Sequence, residues 1–161
     1  AVLGTVGQAW VIMEQVADQA AAALCAESLG AFARVNELTL EYLKIREQFG
    51  QPIGKFQVLQ HHMADMLIEY ENAQSLVYRS SMMADSDDAA MRGKAVSSTK
   101  VYLGERGHTS CQSAIQMHGG IGMTAEYELG DFVKRMAVAE VMFGDVDHHL
   151  ARFGKLSYMS G

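Results

Sequence analysis

Two segments hold residue types that can grip an anion. One reads Arg46-Glu47-Gln48-Phe49-Gly50-Gln51-Pro52-Ile53-Gly54-Lys55-Phe56-Gln57, and the other Gln116-Met117-His118-Gly119-Gly120-Ile121-Gly122. The first offers a permanent cation, Arg46, whose planar fork bonds two phosphate oxygens at once. Gln48 and Gln57 add side-chain amides, and Phe49 adds an aromatic ring. The second offers the amide of Gln116 and a glycine run that permits φ > 0 and close backbone approach to a ligand. A lone arginine ending a helix serves the dipole, and a lone glycine there serves as a cap. Two consecutive glycines followed by a third exceed what a cap needs.

Other polar groups carry less. Glu105 and His108 form one Glu-x-x-His pair, and Asp145 with His148 approximates a second. A di-iron bundle needs two complete pairs and two further inward carboxylates, so no metal is expected. Adjacent His61 and His62 cannot share a helix face, and His149 reads as a surface residue. The eleven methionines recur at helical spacing and read as core filler.

The elements that must position these groups are helical. With 161 residues, 49% hydrophobic and a single Pro, the chain is long enough for one domain with a true core. Leu24, Phe32, Val35, Leu38, Tyr42, Ile45 and Phe49 recur at steps of three and four, which predicts a long helix reaching Phe49. A shorter helical piece over 8–16 leads into it. Leu29, Leu40 and Leu43 lie outside that stripe and suggest a second apolar face, hence self-association. Gly50, Pro52 and Gly54 make the turn. A second helix follows from near Lys55, with the stripe Phe56, Leu59, Met63, Leu67, Tyr70 and Val77. The run Asp85–Asp88 ends it and caps a third, over 89–117, rich in small residues. A short helix near 129–135 and a last one over 145–158 complete an all-α, up-down antiparallel four-helix bundle over 1–161.

The net charge of −6 offers no basic stripe for nucleic acid. No apolar run is long enough to span a membrane. Cys25 and Cys111 read as reduced core thiols, and with them comes a cytoplasmic location. Because the chain opens at Ala1, it reads as the C-terminal part of a longer protein.

The Arg46–Gln57 and Gln116–Gly122 segments, with the helices around them, resemble the C-terminal helical domain of the acyl-CoA dehydrogenase family. That resemblance implies α,β-dehydrogenation of acyl-CoA thioesters with FAD as cofactor. It implies an electron-accepting flavoprotein as partner and a homo- or hetero-oligomer, dimer or tetramer. Arg46 would grip the pyrophosphate of a neighbouring subunit's FAD, with Gln48, Phe49 and Gln57 beside it. Gln116, Gly119 and Gly120 would face its adenylate end.

The family also needs a carboxylate base for the α-proton of the thioester. Counted without gaps from Gln116, its usual position is Phe143. Counted back from Arg46, the minority position is Ala20. Neither side chain can accept a proton. Asp145 and Glu140 are nearby carboxylates, with Asp18, Glu14 and Asp147 weaker candidates. The pattern resembles the bacterial small subunits that lack the base and complete a partner's flavin site. An active enzyme using Asp145, and a helical assembly module without cofactor, are the competing readings.

Overall fold

The computed structural model describes residues 4–158. Helix α1 spans Ala9–Ile45 without a break, so the piece expected over 8–16 is its first turns. It ends at Ile45, four residues short of Phe49. Arg46 turns extended (φ −72°, ψ 121°) while its N–H still bonds the Tyr42 carbonyl at 2.9 Å. Phe49 (φ 54°) and Gly50 (φ 77°) then reverse the chain. Positive φ at both central residues makes a two-residue hairpin whose twist suits its flanks. Strand β1 (Glu47–Gln48) pairs antiparallel with β2 (Gln51–Pro52), Glu47 opposite Pro52 and Gln48 opposite Gln51. The apolar period overran the true end because Ile45 and Phe49 keep the spacing but lie 76% and 89% exposed.

A 3₁₀ turn, Ile53–Lys55, leads to α2 (Gln57–Met83). In α2, Met66 is buried and Leu67 exposed, the reverse of the expected stripe at that turn. Asp88 caps α3 (Ala89–Tyr102) as expected, its Oδ1 accepting from the Ala90 and Met91 amides at 2.9 and 3.0 Å. A π turn, Leu103–Gly107, joins α3 to α4 (His108–His118), so the expected third helix is one rod with a bulge. The 3₁₀ turn Gly119–Met123 follows. Helix α5 runs Leu129–Val141, longer than expected, and α6 runs Val146–Tyr158.

Helix α1 is the central rod, packed by α2, α3, α4 and α5, while α6 lies along α3. Phe32 and Val35 of α1 are fully buried, with Leu38, Met66, Val77, Ala114 and Leu129 around them. Each large side chain so buried contributes roughly 1.5–3 kcal/mol. Leu29 and Leu43 belong to this core, so of the three leucines read as a second face only Leu40 is exposed. The small residues of α3 let α6 approach closely: a Cβ at Gly93 would meet Leu156 Cδ1 at 2.7 Å. Cys25 and Cys111 are free and buried, and burial pushes both thiols up to about 12, which makes them inert core groups. Among the described residues, no helix is long and apolar enough to cross a membrane.

Candidate functional site

The up-down order brings the end of α1, the start of α2 and the end of α4 to one end of the bundle. Aromatic packing ties the ends of α1 and α4. The Tyr42 ring, one turn before Arg46, stacks on the His118 ring at 4.5 Å and 23°, and Tyr127 packs against both. His118 is buried, and its Nδ1 lies 2.8 Å from the Ala114 carbonyl, which accepts from it. Desolvation lowers its pKa, so the ring is neutral near pH 7. His118, assigned no task from sequence, is therefore the internal support of this end.

Around that support the expected ligand residues lie outside. Arg46 is exposed, and its carbonyl accepts from Ile53 N–H at 2.8 Å, which closes the loop behind it. Gln48 is exposed, with its Nε2 donating to the Glu47 carbonyl at 2.9 Å. Phe49 packs edge-on against Phe56 at 6.0 Å, leaving most of its ring open. Gln57 is the exposed first residue of α2, and Gln116 sits exposed on the last turn of α4. Gln116 borders a cavity of about 400 Å3 whose opposite wall is Leu59 and His62 of α2. Gly119 caps α4 at φ 65° and ψ −141°, a conformation nearly confined to glycine. Space is open where a Cβ would stand on Gly119 and on Gly120. An exposed guanidinium, exposed amides and bare glycine backbone at one bundle end suit the phosphate end of a dinucleotide.

A second site lies between α1 and the loop before α6. There a cavity of about 330 Å3 is walled by Trp10, Met13, Ala17, Ala21 and Phe143, with Glu14, Asp18, Arg152, His148 and His149 at its polar side. Asp18 is buried, and two arginines take up its carboxylate: Arg92 Nε at 3.0 Å and Arg152 Nη2 at 3.0 Å. Glu14 accepts from Arg152 as well, at 3.2 Å. A buried carboxylate so paired is an ion network whose partners cannot be removed cheaply.

Phe143 (φ 57°) and Gly144 (φ 105°) form the loop itself. Buried Lys100 reaches from α3 to donate to the carbonyls of Ala139, Glu140 and Met142, at 2.7, 2.8 and 2.8 Å. Its three N–H groups meet three of the carbonyls that α5 leaves open at its C-terminus, where a cation is favoured. His149, expected on the surface, is 2% exposed. Its Nε2–H donates to the Phe143 carbonyl at 3.1 Å, so Nδ1 accepts from Ser97 Oγ–H at 3.1 Å. Burial is the main cause that pulls its pKa down to about 4.

The carboxylates considered as bases are placed otherwise. Asp145 caps α6, its Oδ1 accepting from His148 N–H at 2.9 Å, and it is absent from the cavity wall. Glu140 faces His108, Oε2 to Nδ1 3.6 Å. Asp147 is exposed on the first turn of α6. Ala20 is half-buried on α1, while its neighbours Ala17 and Ala21 line the cavity. Among the described residues, no three His, Cys, Asp or Glu side chains are placed to hold a metal ion. One signal in the sequence could have found Arg92 and Lys100. They stand with Val96 at i, i+4 and i+8, two charges on a stripe otherwise made of small residues.

Residues 7–155 match the family described as "Acyl-CoA dehydrogenase, C-terminal domain". The chain is 34% identical to "Acyl-CoA dehydrogenase IpdE2" of Mycolicibacterium smegmatis over 137 residues, 85% of this chain and 42% of that protein. Among solved structures, "Tcur3481-Tcur3483 steroid ACAD G363A variant" superposes with a TM-score of 0.83 at 31% identity, over 89% of this chain and 39% of that one. "PigA with FAD and proline" does so with a TM-score of 0.78 at 30% identity, over 88% and 37%. The chain thus spans about two fifths of the length of these relatives.

Proposed function

Because the chain belongs to the acyl-CoA dehydrogenase family, through that family's C-terminal domain, we propose that it is the flavin-holding and assembly part of an acyl-CoA dehydrogenase subunit. The carrying observation is the meeting of the Arg46 loop and the Gln116–Gly120 turn at one bundle end, joined by the Tyr42–His118 stack. FAD, when bound, supplies the hydride acceptor for α,β-dehydrogenation of an acyl-CoA. Arg46 would hold its pyrophosphate by paired charge-assisted bonds. Gln48 and Gln57 would add amide donors, and Phe49 an open aromatic face. Gln116, Gly119 and Gly120 would hold the adenylate end, where bare backbone permits close approach. The clasp serves the FAD of a neighbouring subunit in a homo- or hetero-oligomer. The parent protein is cytoplasmic and passes electrons to an acceptor flavoprotein.

We propose further that this subunit's own cleft is silent. Phe143 stands where the family's base is counted, and Ala20 stands at the other base position. Neither can take a proton. The Asp145 carboxylate is engaged by an amide of α6 and would have to leave that bond to act as base. A flavin-free assembly module would have no use for an exposed arginine beside bare glycines.

Assaying the full-length protein alone and with a base-bearing partner subunit, as wild type and as Asp145→Asn, separates these readings. Loss of a general base costs about 100- to 10,000-fold in rate. The silent reading expects neither form to turn over acyl-CoA alone and the complex to tolerate Asp145→Asn. Ordinary turnover by the lone wild type, abolished by Asp145→Asn, would identify a displaced base. Absence of flavin from every form would leave the assembly module.

A further inference from the structure

The loop over residues 142–145 carries two successive positive-φ residues and yet forms one wall of the 330 Å3 cavity. A non-glycine residue at φ 57° is uncommon, and so strained a backbone persists only where its surroundings over-determine it. Two buried groups supply that constraint. Lys100, on α3, binds two carbonyls just before the loop and that of Met142 at its start, with three donors on three acceptors between 2.7 and 2.8 Å. His149, on α6, binds the Phe143 carbonyl inside the loop, which fixes its tautomer, and Ser97 on α3 holds its other ring nitrogen. Ser97 and Lys100 lie three residues apart on one helix. A single face of α3 therefore grips the loop directly through Lys100 and indirectly through His149.

We propose that Lys100 and His149 are positioning residues, a two-point clamp that sets the backbone of residues 142–145 and so decides which side chain enters the cavity. Phe143 stands in the cavity wall while its carbonyl is pinned by His149. The clamp concerns the loop alone and holds or fails independently of flavin binding.

Burial above all keeps His149 in the neutral form, and its charge setting adds to that. Lys100 on α3, with His148 and Arg152 on α6, all oppose a proton on the ring. The carboxylates across the cavity, Asp18 and Glu14 on α1, are already held by arginines. A charged ring is costly at so buried a place, so an acidic medium should loosen that side of the clamp.

Amide hydrogen exchange reads local opening. It is followed at Met142, His148 and His149, with Val35 of α1 as the core reference. Lys100→Met and His149→Phe should each speed exchange at those three amides by about tenfold or more, the effect of losing a buried bond. Val35 should stay unchanged. His149→Gln keeps a donor and an acceptor and should restore slow exchange. In the wild type, exchange corrected for its intrinsic pH dependence should quicken as pH falls from 6.5 toward 4, and His149→Gln should remove that trend. Two results would overturn the clamp: equal acceleration at Val35, meaning a general structural role, or no acceleration at the loop. If Lys100→Met does not fold, the His149 variants and the wild-type pH series decide alone.

Discussion

Gly119 and Gly120 are neighbours under different demands. Gly119 takes φ 65° and ψ −141°, so any side chain there is strained. Gly119→Ala should lower stability by about 1–3 kcal/mol, read from the urea midpoint. Gly120 has open space and no unusual φ, so Gly120→Ala should leave the midpoint within about 0.5 kcal/mol. Any effect of that change would then be on a ligand. Asp145 invites a similar separation: Asn caps a helix as well as Asp does, so Asp145→Asn should leave stability nearly unchanged, whereas Asp145→Ala should cost about 1 kcal/mol. That Arg46 and Gln116 stand at helix ends was legible in the sequence, because local composition marks both breaks. Lys100 was not. The stripe it shares with Arg92 marks it as unusual, but its partners are carbonyls 39 to 42 residues away, which no local pattern names.

At the scale of elements, the loop and α6 depend on His149 remaining neutral. An unfolded imidazole titrates near 6.5, whereas burial pulls this one down to about 4 in the folded chain. Between those values the unfolded chain takes up a proton that the folded chain refuses. Stability from this group is therefore complete above pH 6.5, falls as pH drops toward 4, and falls no further below. The whole span amounts to about 3 kcal/mol. Urea midpoints at pH 7 and 4.5 should show most of that loss in the wild type and much less in His149→Gln. His118, also lowered by burial, adds a share of the same sign. The helices were legible because α1 and α2 keep a 3.6-residue period, and the Asp88 cap because an acidic run precedes small helix formers. The end of α1 was not. Phe49 continues the period, but Gly50 after it allows the hairpin that takes the ring out of the stripe.

For the whole molecule, exposed apolar side chains on three helices point to association. Leu67 and Ile68 on α2, Val141 on α5 and Leu150 on α6 are all more than half exposed. Sedimentation of the chain should give a mass above the monomer's 17.6 kDa that rises with concentration. A constant monomer mass would count against it. The bundle and the family were legible from sequence. The ion network of Asp18, Arg92 and Arg152 was not, because it joins residues 74 and 134 apart along the chain. The central claim is that the Arg46 end of the bundle holds the phosphates of a flavin dinucleotide. Titrating the full-length apoprotein with FAD, as wild type and as Arg46→Ala, tests it most directly. Arg46 is exposed, so the variant should keep its helical circular dichroism and its melting temperature while binding FAD about 10- to 100-fold more weakly, as expected for a lost charge-assisted bond. Equal affinity in the two proteins would contradict the account.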